Sequence, residues 1–160
     1  MNTPAPWHIR RARVDDAAQL AGLLLSIGWF SALEGRNRGE VEALVMAHLQ
    51  ALVDSPTSTL HVVEGPAGAL LGYSNTHWLH DLFMPGPEGY LSELFVHDSA
   101  RGAGIGSALL DALAAEARER GAHRLTLLNG KHRDSYARQF YEKHGWKERP
   151  FMANFVYELA

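Results

Sequence analysis

The chain has 160 residues, 46% of them hydrophobic and 21% charged, with a formal net charge of -3. This suffices for one domain of ordinary size with a real core, and it argues against a disordered chain or a basic nucleic-acid surface. Cysteine is absent, which excludes disulfides, thiolate metal sites and a cysteine nucleophile and agrees with a reducing compartment.

The opening residues MNTPAPWHIRR hold no apolar signal core and no apolar run approaches membrane-spanning length, so the expected location is cytoplasmic, with no membrane partner. Trp7 to Ala12 reads as a first strand. Asp15 or Asp16 then caps a helix whose apolar positions include Ala17, Leu20, Leu23, Leu24 and Ile27, and Gly28 stops it. Trp29 and Phe30 follow in a turn, where they either line a substrate mouth or plug the core, the commoner fate of such residues. Glu40 to Val53 has Val41, Leu44, Val45, Leu49 and Leu52 at helical spacing. Thr59 to Glu64 and Ala69 to Trp78 read as a hairpin around Gly65-Pro66-Ala67-Gly68. The connection from Leu79 to Gly89 carries Leu82, Phe83 and Met84, an apolar cluster suited to facing substrate or a second subunit.

The stretch from Tyr90 to Ser107, YLSELFVHDSARGAGIGS, organises the rest. An apolar strand runs to Val96, glycine falls at 102, 104 and 106, and a helix begins with Ile105, Ala108, Leu109, Ala112 and Leu113 on one stripe, interrupted by Glu116. Strand, glycine turn and helix aim unpaired amide N–H groups and a positive dipole end at one point beside Arg101, which makes a phosphate cradle. A P-loop is ruled out because no lysine follows the glycines, and the dinucleotide fingerprint G-x-G-x-x-G fails at Ser107. An ordinary tight turn is the competing explanation. Downstream, Arg124 to Leu128 reads as a strand, Ser135 to His144 as a helix closed by Gly145, and Trp146 to Glu148 and Asn154 to Leu159 as two last strands around Pro150. The element order describes an α/β fold with a mixed, mainly antiparallel sheet.

Four pieces, in this order, resemble the GNAT superfamily of acetyl-CoA-dependent N-acetyltransferases: HIRRARVDD, LLGYSN, LFVHDSARGAGIGSALL and FYEKHGW. RGAGIG is similar to the family's R/Q-x-x-G-x-G/A pyrophosphate loop. The resemblance runs from about His8 onward and implies a single domain over 8–160 behind a short extension, 1–7, with about seven strands and about four helices. It implies that Leu94, Phe95 and Val96 present backbone to pantetheine. It also implies that Arg101, Gly102, Ala103, Gly104, Ile105, Gly106 and Ser107 hold the pyrophosphate, and that Tyr141 lies near the thioester sulfur. YLSELFV is also similar to the diamine-acetyltransferase branch, whose strand carries a pair of acids; here Ser92 fills the first acid position and only Glu93 matches. Asp134 stands where the family often has asparagine before the alanine of its last helix.

The chemistry asks for a base and an acid. An alkylamine with a pKa of about 10.4 is almost wholly protonated at neutral pH, and Glu93, expected on the strand face of Leu91 and Phe95, is the candidate to take its proton. A structural hydrogen bond or ion pair is the alternative use of Glu93. Tyr141 is assigned by resemblance to protonate the departing CoA thiolate, and packing with Tyr136 and Phe140 is its alternative use. His77, His80 and Asp81 lack the helical zinc spacing and an evident third ligand, so no metal is expected; a substrate-binding or basic role for either histidine is the better use. His132, Arg133, Arg138 and Lys143 read as a solvated basic face, with the CoA ribose phosphate as a second use. The expected activity is direct acetyl transfer from acetyl-CoA to a small-molecule amine, with a protein or peptide N-acetyltransferase and a non-catalytic CoA-binding sensor as rivals. A homodimer through Leu82, Phe83 and Met84, or through the final strand, is expected as partner.

Overall fold

A computed structural model describes residues 6–159. Most of the expected 1–7 extension, residues 1–5, and the last residue of the expected domain lie outside the described residues. The chain divides into two compact units, one ending at Leu128 and one starting at Asn129.

The first unit holds β1 (His8–Arg11), α1 (Ala17–Ile27), α2 (Arg38–Leu52), β2 (Ser58–Glu64), β3 (Leu70–Leu79), β4 (Glu88–Val96), α3 (Ile105–Glu119) and β5 (Arg124–Leu127). Its sheet runs in the order β1-β2-β3-β4-β5. The first three junctions are antiparallel and β4–β5 is parallel. That last relation follows from the crossover through α3, since parallel neighbours need a connection long enough to return the chain.

Local chemistry sets the helix starts. At α2, the Asn37 side chain accepts from the Glu40 N–H at 3.0 Å while the Glu40 carboxylate accepts from the Asn37 N–H at 2.7 Å, a reciprocal capping box. At α1 the expected aspartate cap takes another form. Asp16 is buried and reaches backward, accepting from the Arg13 N–H at 2.8 Å and from both terminal nitrogens of Arg10 at 2.8 Å. The guanidinium needs a partner there more than the helix does.

Alternation along the strands divides the core between the two sheet faces. Leu60, Val62 and Tyr73 meet Leu20, Leu23, Val41, Val45 and Leu49 of α1 and α2. Val63 belongs to the opposite face, with Ile105 and Leu109 of α3 and the flanking Leu71, Leu94 and Val96. Each such aliphatic side chain, when fully buried, contributes about 1.5–3 kcal/mol. The polar break in the α3 stripe is also explained. Glu116 accepts from Thr59, Arg11 and Arg120, each at 2.7 Å, and Arg120 lies 4.7 Å over the Trp78 ring. Burial works against the charge of Glu116, but the Thr59 and Arg120 hydrogen bonds hold its carboxyl below the usual range. The far end of α3 is thereby tied to the sheet.

In the second unit the expected helix from Ser135 to His144 is a single turn, α4 (Asp134–Ala137), followed by a 3-10 turn at Glu142–His144. Gln139 breaks it by taking φ +55°. The Gln139 N–H donates to Tyr136 O and the Phe140 N–H to Ser135 O, both at 2.9 Å, which is a Schellman termination with glutamine in the usual glycine place. The two last strands are also corrected. Among the described residues the sheet has five strands against about seven expected, and neither Trp146–Glu148 nor Asn154–Leu159 joins a ladder. Apolar alternation gives a segment a face but no partner, and Phe155, Val156, Tyr157 and Leu159 stay exposed.

Candidate functional site

The register of β3 against β4 builds the centre of the site. Tyr73 lies opposite Phe95 and Asn75 opposite Glu93, but the next pair is Thr76 with Leu91, so Ser92 is an extra residue. A bulge of this kind exchanges the faces of everything beyond it. Phe95, Glu93, Tyr73 and Asn75 therefore share one face, whereas Leu91 sits on the other with Thr76. This corrects the expectation that Glu93 shares a face with Leu91; an unbroken period of two does not survive the bulge.

Glu93 is held by two donors from β3. Tyr73 Oη donates to Oε2 at 2.5 Å and Asn75 Nδ2 donates to Oε1 at 3.2 Å. The tyrosine is buried, and burial together with the neighbouring carboxylate pushes its phenol pKa far up, so it remains a proton donor. Each carboxylate oxygen keeps acceptor capacity for a further partner. Beside it, Ser92 Oγ donates to Asn75 O at 3.2 Å and lies 3.0 Å from His77 Nε2. An aromatic group adjoins the carboxylate. Trp29 and Phe30, from the turn after α1, stand 4.4 Å apart, at 5.6 Å and 5.2 Å respectively from the Phe95 ring, with Tyr73 5.8 Å from Phe95.

The edge of β4 supplies the second element. Pairing with β5 covers only Glu88 to Leu91, so β4 extends beyond its parallel neighbour from Ser92 to Val96. Leu94, Phe95 and Val96 thus have a strand edge that β5 leaves uncovered, one able to exchange hydrogen bonds with an amide-bearing ligand.

The third element follows directly. After a turn at Asp98–Ala100, Arg101 is extended, Gly102 and Gly104 both take φ +78°, and Ile105 opens α3. A side chain at either glycine would meet open space, so what these positions require is the left-handed backbone and free access from outside. Gly104 brings no side chain to cap the helix, whose first N–H groups have no intrahelical acceptor. Arg101 is exposed and pairs with Asp98 at 2.8 Å.

Tyr141 belongs to the second unit. Its ring packs against Phe140 and Trp146 at 5.0 Å and 6.0 Å, and burial pushes its hydroxyl pKa up. Among the described residues no three histidine, aspartate or glutamate side chains form a metal-binding group, and no helix is long and apolar enough to cross a membrane.

With this geometry in place, residues 23–146 match the model of the Acetyltransferase (GNAT) family. The chain belongs to that family. No curated protein matches it. Among solved structures, the GNAT chain is similar to an integron cassette protein from the mobile metagenome of V. cholerae, at 21% identity and TM-score 0.79 over 96% of this chain and 93% of the other. An aminoglycoside acetyltransferase from an uncultured soil metagenomic sample, crystallised with trehalose, aligns at 20% identity and TM-score 0.78 over 99% and 100%. A ribosomal-protein-alanine N-acetyltransferase from Brucella melitensis biovar Abortus 2308 aligns at 23% identity and TM-score 0.68 over 96% and 99%. At these identities the likeness establishes the fold.

Of the residues singled out in the GNAT sequence, Glu93, Leu94 to Val96 and Arg101 to Ser107 lie on one continuous strand-turn-helix in the first unit. Tyr73 and Asn75, which hold Glu93, were not singled out. Both lie in LLGYSN, and counting the hairpin register across it would find them only if the bulge were known.

Proposed function

We propose that this GNAT protein transfers the acetyl group of acetyl-CoA directly to a primary amine of a small molecule. The observation that carries the reading is the sequence of features along β4: a carboxylate on its face, an uncovered edge, and a glycine turn opening α3 at its end. The residues fit such a ligand. Amides of the pantetheine arm suit the backbone of Leu94, Phe95 and Val96, and the pyrophosphate suits the N–H groups of Gly102 to Ser107 with Arg101 as counter-charge. When bound, acetyl-CoA supplies the thioester carbonyl. Glu93 accepts a proton from the incoming ammonium, directly or through water, and its two hydrogen bonds from β3 fix its orientation. Tyr141 protonates the departing thiolate, a role that rests on the resemblance of FYEKHGW; burial raises the pKa of its hydroxyl and so keeps the proton in place until the thiolate departs.

We treat 8–160 as a single acetyltransferase domain that works without a metal, in the cytoplasm, as a homodimer. Exposed Leu82 and Phe83 and the apolar residues of 154–159 favour self-association, since such surfaces are usually covered. A protein amino terminus as acceptor is the second reading, because one similar structure is a ribosomal-protein-alanine N-acetyltransferase. Release of CoA thiol across a panel of small amines and peptides tests both. Turnover with a small amine is expected; turnover with peptides alone selects the second reading, and none with any acceptor leaves a CoA-binding sensor.

A further inference from the structure

The face of β4 that carries Glu93 also indicates which amine fits. Trp29 is 47% exposed although its ring is fixed against Phe30 and Phe95. A residue that only plugged the core would be covered, whereas this aromatic group keeps part of its surface exposed. Phe95 and Glu93 are two residues apart on one face, which spaces their backbones by roughly 7 Å. That is the reach of a short alkyl chain carrying a ring at one end and an ammonium at the other. Along the same face beyond Glu93 stand Ser92 and His77, in contact with each other, and then Tyr90 opposite His77. Glu93 is the carboxylate between Phe95 and Tyr90 on this face, and the next acid along β4 on it, Glu88, is already bonded by Arg124 and Thr126.

We propose that the acceptor is a primary arylalkylamine, with its ammonium on Glu93 and its ring on the Trp29, Phe30 and Phe95 platform. The inference rests on the N-acetyltransferase reading and sharpens it. Aromatic faces favour a flat apolar group with a positive charge beside it, whereas a polyamine or aminoglycoside brings no flat ring to fill the platform.

The test is calorimetric titration of the full chain, saturated with CoA, with 2-phenylethylamine, n-butylamine, spermidine and an aminoglycoside, alongside a CoA-release assay on the same amines with acetyl-CoA. 2-Phenylethylamine is expected to bind at least about tenfold tighter than n-butylamine. Trp29→Ala is expected to remove most of that preference by weakening 2-phenylethylamine much more than n-butylamine, and Phe30→Leu, which keeps the bulk, to reduce it less. Tighter binding of spermidine or the aminoglycoside, equal binding of the two monoamines, no binding of any amine, or an undiminished preference in Trp29→Ala overturns the inference. The release assay separates this from the underlying reading. Preferential aryl binding without acetylation of any amine sinks the enzymatic reading alone, and acetylation of polyamines without aryl preference sinks the inference alone.

Discussion

In the proposed site, the turn at the C-terminal end of β4 would offer a ligand backbone, and the middle of β4 would offer side chains. The proposed cradle from Arg101 to Ser107 would work through amide groups, and its geometry is written locally in glycines that take φ +78° at 102 and 104. The bulged face at Glu93 depends on Tyr73 and Asn75, 20 and 18 residues earlier, and on one extra residue in a ladder. A backbone site tolerates many side chains but few changes of conformation. A side-chain site is the reverse, and the two should fail differently when mutated.

The largest effect is expected at the turn. Gly104→Val forces a β-branched residue into the left-handed region and places bulk where a ligand would approach, so acetyl-CoA binding by calorimetry should fall by about a hundredfold or more. An unimpaired variant would reduce the cradle to an ordinary turn. Glu93→Gln should leave that binding intact and lower turnover at pH 7 by about a hundredfold or more. Its deficit should shrink as pH approaches about 10.4, where free amine no longer needs a base. Tyr141→Phe should cost at least about tenfold in turnover without such rescue, because burial keeps the hydroxyl protonated past its ordinary value of 10.0. Parallel pH profiles for the two variants would break the division of roles. Arg101→Ala should weaken binding by only about tenfold, since the side chain is exposed and already shared with Asp98.

Smallest in functional effect is a change remote from both regions. Asp16→Asn should leave acetyl-CoA affinity and turnover unaltered while costing about 3 kcal/mol of stability, roughly 10 °C in Tm, by leaving Arg10 without its buried partner. Burial opposes the charge on Asp16, but the Arg10 and Arg13 hydrogen bonds win and hold its carboxyl below its ordinary value of 3.8. Its contribution is therefore complete above the unfolded value and disappears as pH falls through the lower folded one. Wild type should lose stability through this acid window more steeply than Asp16→Asn, as measured by thermal unfolding between pH 6 and 2.

The order of helices and strands in the first unit was legible because each carries its own period and stop signals. Gly28 ends α1 and the Asn37–Glu40 pair starts α2, both within a few residues of the expected boundaries. The glycine turn was legible for the same reason. The face of Glu93 was not, because a one-residue bulge reverses alternation without any composition signal. The Gln139 termination was hidden because a residue other than glycine adopts positive φ there. The last two expected strands failed because a strand needs a ladder partner, which 154–159 does not name.

The most direct measurement of the central claim is a calorimetric titration of the full chain with acetyl-CoA, repeated with Gly104→Val. The account predicts saturable binding at one site per chain, accompanied by a raised Tm from mass action on the native state, with both lost in the variant. Absence of binding and of any Tm shift in the wild-type protein at saturating acetyl-CoA would contradict it.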